Sequence, residues 1–157
     1  MGIGSNVERL ANVRSAIAAL RHHFGVLRLS QIYESAAVGF DGEDFYNLVA
    51  GFDTSLNVWK VAAKLREIEA KHCRERGNGR FAPRTLDLDL LLYGDEVLHE
   101  EGIHIPREEI KEYAFVLCPL AEIAPHARHP VDGRTFAELW RDFGYRKQRI
   151  SPVRIRV

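Results

Sequence analysis

Several features that mark other protein classes are scarce in this sequence. It has two cysteines, Cys73 and Cys118, in unrelated contexts, so a disulfide framework is not expected. No apolar run approaches the ~18 residues of a membrane-spanning helix, and the first residues lack the pattern of a signal peptide. The 22 Lys and Arg residues balance the 22 Asp and Glu residues, so no overall field attracts nucleic acid or an anionic membrane. We therefore expect a cytoplasmic protein with neither a membrane nor a nucleic-acid partner.

Standard nucleotide-binding motifs are also missing. No G-x-x-x-x-G-K-[ST] segment occurs, and "GIGSNV" has Val7 where a dinucleotide-binding fingerprint has its third glycine. We interpret this segment as a strand-to-helix turn in which Ser5 is the helix N-cap and Glu8 completes a capping box. The alternative is an anion or substrate bound near the helix N-terminus.

The periodicity of the apolar residues predicts the fold class. The length of 157 residues fits one domain, spanning 1–157. A strand, helix, strand, strand, helix, strand order is typical of an α+β, ferredoxin-like split βαβ core with an antiparallel sheet. Shorter helices and a basic C-terminal tail or edge strand follow, and these helices are expected to cover the second face of the sheet, giving αβα layers. The predicted strands cover 1–3, 26–33, 45–55 and 85–93, and the predicted helices cover 5–25, 57–74, 107–112, 114–122 and 135–142.

The segment "RFAPRTLDLDLLLYG", residues 80–94, places two aspartates in an otherwise apolar strand. Side chains alternate along a strand, so Asp87 and Asp89 share one face, with Cα atoms roughly 7 Å apart. On this pattern Thr85, Leu91 and Tyr93 lie on the aspartate face, and Leu86, Leu88, Leu90 and Leu92 form the core face.

The charges around this strand suggest a ligand. Paired carboxylates suit Mg²⁺, and the preceding helix and loop carry Arg74, Arg76, Arg80 and Arg84. Metal and arginine together disperse charge on a phosphoryl group during transfer, which points to a Mg²⁺–nucleotide complex. The alternative is an Asp–Arg network on the surface of an edge strand, which contributes little to stability. Three aromatic residues near the predicted loops have two interpretations: Phe45, Phe81 and Phe115. Each could belong to the core, or together they could stack on both faces of a flat heterocycle.

The same segment resembles the signature of the 6-hydroxymethyl-7,8-dihydropterin pyrophosphokinase family. The segments "GIGSN", "YESAAVG", "FYNLV", "REIEA" and "AFVLCPLAEIAPHARHP" agree with the family in order and spacing. The resemblance covers nearly the whole chain. It implies transfer of an intact diphosphate from ATP, the co-substrate, to the hydroxymethyl group of 6-hydroxymethyl-7,8-dihydropterin, leaving AMP.

The resemblance also implies the roles of individual residues. Asp87 and Asp89 match the ligands of two Mg²⁺ ions, and two loops, roughly 36–46 and 74–84, would close over the substrates. The positions implied for catalysis are Arg74, Arg76, Arg84, Asp87 and Asp89; those for the pterin are Ser35, Val38, Phe45, Asn47, Phe81 and Phe115; those for ATP are Arg66, Glu69, Arg76, Arg84 and Arg107.

This chain departs from the family pattern at several positions. Gly102, Arg107 and Tyr113 stand where the family commonly has arginine, histidine and arginine, and Arg66 replaces a glutamine that faces ATP. Ala36 and Ala37 replace a frequent proline pair. Weaker nucleotide binding than usual is therefore one hypothesis.

Two other functions remain open at this point. One is a catalytically silent relative that still binds pterin or nucleotide, and the other is a different two-metal phosphotransferase. The sequence does not determine the oligomeric state; a monomer is expected, with a dimer as the alternative.

Overall fold

The structure is a computed structural model that describes residues 1–39, 41–75, 86–144 and 148–157, with only the helical backbone for 73–75. Eight strands and five helices lie within these residues. In chain order they are β1 (Gly2–Ser5), α1 (Arg9–Phe24), β2 (Arg28–Leu29), β3 (Ile32–Ser35), β4 (Phe45–Gly51), α2 (Val58–Glu75), β5 (Asp87–Asp89), β6 (Leu98–Glu100), β7 (Ile103–Ile105), α3 (Glu109–Glu112), α4 (Ala114–Ile123), α5 (Phe136–Asp142) and β8 (Ile150–Val153).

The main sheet has the strand order β5-β1-β4-β3-β8, and β2 also pairs with β4. All of these pairs are antiparallel. The two βαβ halves therefore interleave, and the predicted α+β, ferredoxin-like fold is confirmed. The C-terminal segment forms the edge strand β8, one of the two predicted alternatives. No helix within the described ranges has the length and apolar character needed to cross a membrane.

Helices pack on both faces of the sheet, as predicted. On one face, α1 and α2 bury Val13, Ile17 and Leu65 against Ile3 and Leu48, together with Leu86 and Leu88. On the other face, α3, α4 and α5 bury Ile110, Leu117 and Phe136 against Val49 and Leu91. The two apolar cores, rather than the short strands, hold β5 in place, because burial of apolar area is the dominant favourable term in folding.

Replacement of Phe136 by alanine is expected to destabilise the second core strongly. Phe136 is fully buried, and a large-to-small change at such a site costs about 3–5 kcal/mol. Urea denaturation followed by circular dichroism measures the change. Val131→Ala is the control, because Val131 is 66% exposed and such changes stay within about 0.5 kcal/mol. Equal midpoints for the two variants would contradict this assignment of the core.

The predicted helix N-cap at Ser5 is wrong. Ser5 ends β1, where it pairs with Tyr46, and its hydroxyl donates to the carbonyl of Val7 at 3.1 Å. The helix begins later, with Glu8 in the left-handed region (φ 42°) as its N-cap residue and without a side-chain capping bond. Pairing with β4 keeps Ser5 extended, and this tertiary interaction overrides the local capping pattern.

Two strand predictions also need correction. The segment 26–33 is divided into β2 and β3. Between them the backbone N–H of Ser30 donates to the carbonyl of Val49 at 3.0 Å, while the Ser30 hydroxyl accepts the backbone N–H of Val49 at 2.9 Å. The aspartate strand is short, and its alternation ends after Leu91. Leu92 packs against the second core and Tyr93 against the first, the reverse of their predicted faces. The Tyr93 hydroxyl donates to the carbonyl of Leu56 at 2.6 Å, which holds it on that side.

The hairpin formed by β6 and β7 was not predicted. Ile103 and Ile105 are buried with Val58 and Ala62 of α2, so the hairpin lies beside α2 and close to the aspartate strand. Its alternating pattern is only three residues long in each strand, which is too short for a reliable strand signal.

Candidate functional site

The two aspartates of β5 lie at the edge of the main sheet. Asp87 is opposite Gly4 and Asp89 is opposite Gly2 of β1, so no side chain of β1 stands between them at these positions. Leu88 points into the first core, and the carboxylates therefore face the other side. Asp87 is half-buried and Asp89 is exposed.

A cleft of about 270 Å³ opens on this side of the sheet. The ends of β3 and β4 form one wall, and α3 and the first turn of α4 form another. Five of the residues predicted for the pterin line it, together with both aspartates: Ser35, Val38, Phe45, Asn47 and Phe115. We name this space the larger cleft, because it is the larger of the two clefts that border the aspartates.

The floor of the larger cleft carries a fixed amide. Asn47 of β4 is 8% exposed, and its Nδ2 donates to the hydroxyl oxygen of Ser35 at 2.7 Å. Gly4 lies opposite Asn47 in the neighbouring strand. A buried polar side chain held by a short hydrogen bond keeps one orientation, so the cleft presents a preorganised polar group at its floor.

Aromatic side chains border the same cleft. Phe45 and Phe115 are half-buried, so each ring keeps an accessible surface. Phe115 stacks on Tyr113 with ring centroids 5.1 Å apart and an interplanar angle of 15°. A polar floor and aromatic borders suit a flat heterocycle with hydrogen-bonding edges.

Helix α4, which carries Phe115, is tied to the strand that carries Ser35. The Tyr33 hydroxyl donates to Glu122 Oε1 at 2.9 Å, and the backbone N–H of Gln31 donates to the other oxygen of that carboxylate. Burial raises the pKa of the Tyr33 hydroxyl far above its ordinary value, so the hydroxyl remains a donor well into the alkaline range. These bonds hold the C-terminal part of α4 against β3.

A smaller cleft of about 190 Å³ lies between α2, β5 and the β6–β7 hairpin. Arg66 and Glu69 of α2 line it, and so do Asp87, Asp89 and Arg107. All three of the described residues predicted for ATP, namely Arg66, Glu69 and Arg107, are therefore in one cleft. Asp87, Asp89 and Arg107 border both clefts.

Hydrogen bonds hold Arg107 and Glu69 in place. The backbone N–H of Arg107 donates to the carbonyl of Leu91 at 3.1 Å, and its guanidinium binds the Glu109 carboxylate through Nε (3.1 Å) and Nη2 (3.0 Å). The Glu69 carboxylate accepts the backbone N–H of Leu88, between the two aspartates. Arg107 is thereby held beside β5, and Glu69 attaches β5 to α2.

Part of the predicted site lies outside the described residues. This applies to Arg76, Phe81 and Arg84, to Thr85 of the aspartate face, to Arg80, and to the side chain of Arg74. Their implied roles stay predictions.

The structure also brings residues to the clefts that the sequence did not single out. Glu109 lines the larger cleft, and His104 lines the smaller one. Glu109 lies two residues after Arg107 in the sequence, and that close spacing of opposite charges was the available signal. His104 lies in the hairpin that the sequence did not predict, so no signal placed it near the aspartates.

The donor set of β5 fits a hard divalent cation. Within the described parts of the chain, no group of three or more His, Cys, Asp or Glu side chains is placed to hold a metal ion. Mg²⁺ is usually bound by one or two carboxylates, with water and substrate phosphates as its other ligands. Two aspartates at the border of two clefts meet that requirement, whereas a structural zinc site needs four protein ligands.

The sequence is similar to one family of known proteins. Residues 1–125 match the family model described as 7,8-dihydro-6-hydroxymethylpterin-pyrophosphokinase. Relatives named 2-amino-4-hydroxy-6-hydroxymethyldihydropteridine pyrophosphokinase are found in several bacteria. That of Aquifex aeolicus is 33% identical over 133 residues, covering 83% of this chain and 82% of the relative. That of Synechocystis is 39% identical over 142 residues (88% and 72%), and that of Haemophilus influenzae is 35% identical over 152 residues (94% and 93%).

Proposed function

The chain belongs to the 7,8-dihydro-6-hydroxymethylpterin-pyrophosphokinase family, and on that premise we propose that its larger cleft binds the pterin and its smaller cleft binds ATP. The protein transfers the diphosphate of ATP to the hydroxymethyl group of 6-hydroxymethyl-7,8-dihydropterin, giving AMP and the pterin diphosphate for folate biosynthesis. The observation that supports this arrangement is that Asp87, Asp89 and Arg107 border both clefts. A group that passes from one ligand to the other must cross this border.

The aspartates are the residues that would hold Mg²⁺, and we propose two ions. Bound Mg²⁺ disperses the negative charge of the triphosphate and orients it for displacement. The register of β5 against β1 fixes both carboxylates on the same side. The hydrogen bond from the backbone N–H of Leu88 to Glu69 holds β5 at the residue between the two aspartates. The protein's own contribution is therefore positioning, which lowers the entropic part of the barrier.

Arg107 is proposed to bind phosphate oxygens. A guanidinium group can bind oxygens bidentately, and in the described structure it is paired with Glu109. A polyphosphate that binds here would compete with Glu109 for the same donors. This competition gives Arg107 two arrangements, one with each anion.

In the larger cleft, the pterin is proposed to bind between Phe45 and Phe115 with its polar edge on Asn47. Fused aromatic rings gain dispersion and quadrupole interactions from such faces. The bond between Asn47 and Ser35 fixes the amide before the ligand arrives, so little ordering entropy is lost on binding.

An AMP-release assay tests the function directly. We expect the purified protein to release AMP and form the pterin diphosphate when given ATP, Mg²⁺ and 6-hydroxymethyl-7,8-dihydropterin, and to stop when EDTA is added. A silent relative would release no AMP although it binds the ligands in calorimetry. Release of AMP with other primary alcohols at the same rate would indicate a different phosphotransferase.

Replacement of Gly4 by alanine is expected to weaken pterin binding. A Cβ at this position would lie 3.0 Å from Asn47 Oδ1 and 3.8 Å from Phe45 Cδ1. The Asn47 amide is held by Ser35 and cannot move away freely, so the KM for the pterin should rise by roughly tenfold, equivalent to about 1.4 kcal/mol. Steady-state kinetics at saturating ATP measures this change.

Gly2→Ala is the matched control, since Gly2 also lies in β1 and lines the larger cleft. A Cβ there would meet only the Leu91 side chain, at 3.8 Å, an ordinary contact. The interpretation fails if Gly2→Ala and Gly4→Ala raise the KM equally.

A further inference from the structure

Two histidines face each other across the β6–β7 hairpin. His99 and His104 are opposite in register, and their Nδ1 atoms lie 3.2 Å apart. The ring centroids are separated by 5.4 Å, and both residues are exposed. The buried neighbours Ile103 and Ile105 anchor the strand below them against α2. The backbone that carries His104 is therefore held in place by the buried residues on either side of it.

A contact between two Nδ1 atoms restricts where the protons are. A neutral imidazole has one N–H and one acceptor nitrogen, and in a hydrogen bond one partner donates while the other accepts. When His99 donates from Nδ1, His104 accepts at Nδ1, and the proton of His104 is on Nε2. His104 then has one N–H available to a ligand, without carrying a net charge.

His104 lies where its N–H could bind a ligand in the smaller cleft. Residues that border the smaller cleft include His104, Arg66, Glu69 and Arg107, together with the two aspartates. The only role so far assigned to this cleft is nucleotide binding, which rests on the proposed function. An ATP molecule offers acceptors along its whole length: ring nitrogens, ribose oxygens and phosphate oxygens.

We propose that His104 binds the nucleotide through its Nε2–H, and that His99 is a positioning residue that keeps the proton there by donating to Nδ1. Binding of an acceptor selects the tautomer of the pair in which His104 donates from Nε2. The role of His99 follows from the coupling of the two ring nitrogens of His104, because the hydrogen bond made by one nitrogen decides whether the other is protonated.

Amide substitutions of His104 test the proposal because they separate the two nitrogens. Glutamine extends an N–H donor to about the position of Nε2, whereas asparagine reaches only that of Nδ1. We expect the Kd of a nonhydrolysable ATP analogue with Mg²⁺ to rise roughly three- to tenfold in His104→Ala and His104→Asn, the equivalent of one lost hydrogen bond. In His104→Gln it should stay within about twofold of the wild type. Isothermal calorimetry measures these values, and the KM for the pterin should not change.

A second pair of variants tests the role of His99. His99→Phe removes the Nδ1 donor and keeps a ring, while His99→Asn keeps an N–H at about the same place. We expect the Kd of the ATP analogue to rise roughly threefold in His99→Phe and to stay at the wild-type value in His99→Asn. His126→Ala is the control, since His126 is an exposed histidine in a different loop and should leave the Kd unchanged.

Titration with inorganic tripolyphosphate and Mg²⁺ locates the acceptor. If His104→Ala raises the Kd of tripolyphosphate as much as that of the ATP analogue, the acceptor is a phosphate oxygen. If it raises only the Kd of the analogue, the acceptor is on the nucleoside. Both results support the proposal. An unchanged Kd in His104→Ala would overturn it, and so would a loss in His104→Gln or His126→Ala as large as that in His104→Ala.

Failure of this proposal and failure of the proposed transferase activity give different results. A wild type that releases no AMP would contradict the transferase activity, yet calorimetry would still measure the contribution of His104. Conversely, full AMP release together with an unchanged nucleotide Kd in His104→Ala would leave the activity standing and remove only the role of His104.

Discussion

Replacement of either aspartate of β5 by alanine is expected to nearly abolish diphosphate transfer. Asp87 and Asp89 are the two carboxylates that border both clefts within the described part of the chain. Loss of a metal ligand at the transferring group removes several kcal/mol of transition-state stabilisation. At 1.36 kcal/mol per factor of ten, about 4 kcal/mol lowers kcat by roughly 10³. The AMP-release assay at saturating substrates measures it.

The fold should survive both substitutions, because Asp87 is half-buried and Asp89 is exposed. Circular dichroism and thermal unfolding check this. Asp95→Ala is the matched control: Asp95 is exposed and belongs to the turn after the same strand, so its activity should equal that of the wild type. Substantial activity in both Asp87→Ala and Asp89→Ala would refute the metal assignment.

Replacement of Asn47 by leucine is expected to be the most damaging single change in the larger cleft. Leucine has a similar volume and lacks the amide, so the pterin's polar edge would be buried without partners. Each such unpaired group costs about 1–3 kcal/mol. For a total near 3 kcal/mol, the Kd for the pterin should rise by roughly 100-fold. Fluorescence or calorimetric titration with the pterin measures it, and the Kd of the ATP analogue should stay constant.

Ser35→Ala gives a graded comparison for Asn47→Leu. It removes only the acceptor that fixes the amide of Asn47 at 2.7 Å and leaves the amide itself. A rise in the Kd of roughly three- to tenfold is expected, as for one lost hydrogen bond. If Asn47→Leu binds the pterin as tightly as the wild type, the amide does not recognise the ligand.

The sequence predicted the features that depend on long periodic patterns. Helix α2 was predicted over 57–74 and lies at Val58–Glu75, because its apolar residues repeat over several turns. The core side of the aspartate strand was also predicted, since Leu86 and Leu88 alternate with charged residues. The clustering of Ser35, Asn47 and Phe115 came from a family resemblance and not from periodicity.

The failures fall where tertiary contacts override local patterns. Ser5 belongs to a capping sequence but remains in β1 because β4 pairs with it. The sequence pattern places Tyr93 on the aspartate face of the strand, whereas the hydrogen bond from its hydroxyl to the carbonyl of Leu56 holds it on the side of the first core. His104 lies in a hairpin of short strands, and its neighbours in space come from α2 and β5. No pattern in the local sequence contains that information.

The most direct test of the account is a crystal structure of the protein with Mg²⁺ and a nonhydrolysable ATP analogue. We predict that carboxylate oxygens of both Asp87 and Asp89 lie about 2.0–2.1 Å from a cation that also contacts the triphosphate, with the nucleotide in the smaller cleft. A bound analogue whose cations contact neither aspartate would contradict the central claim.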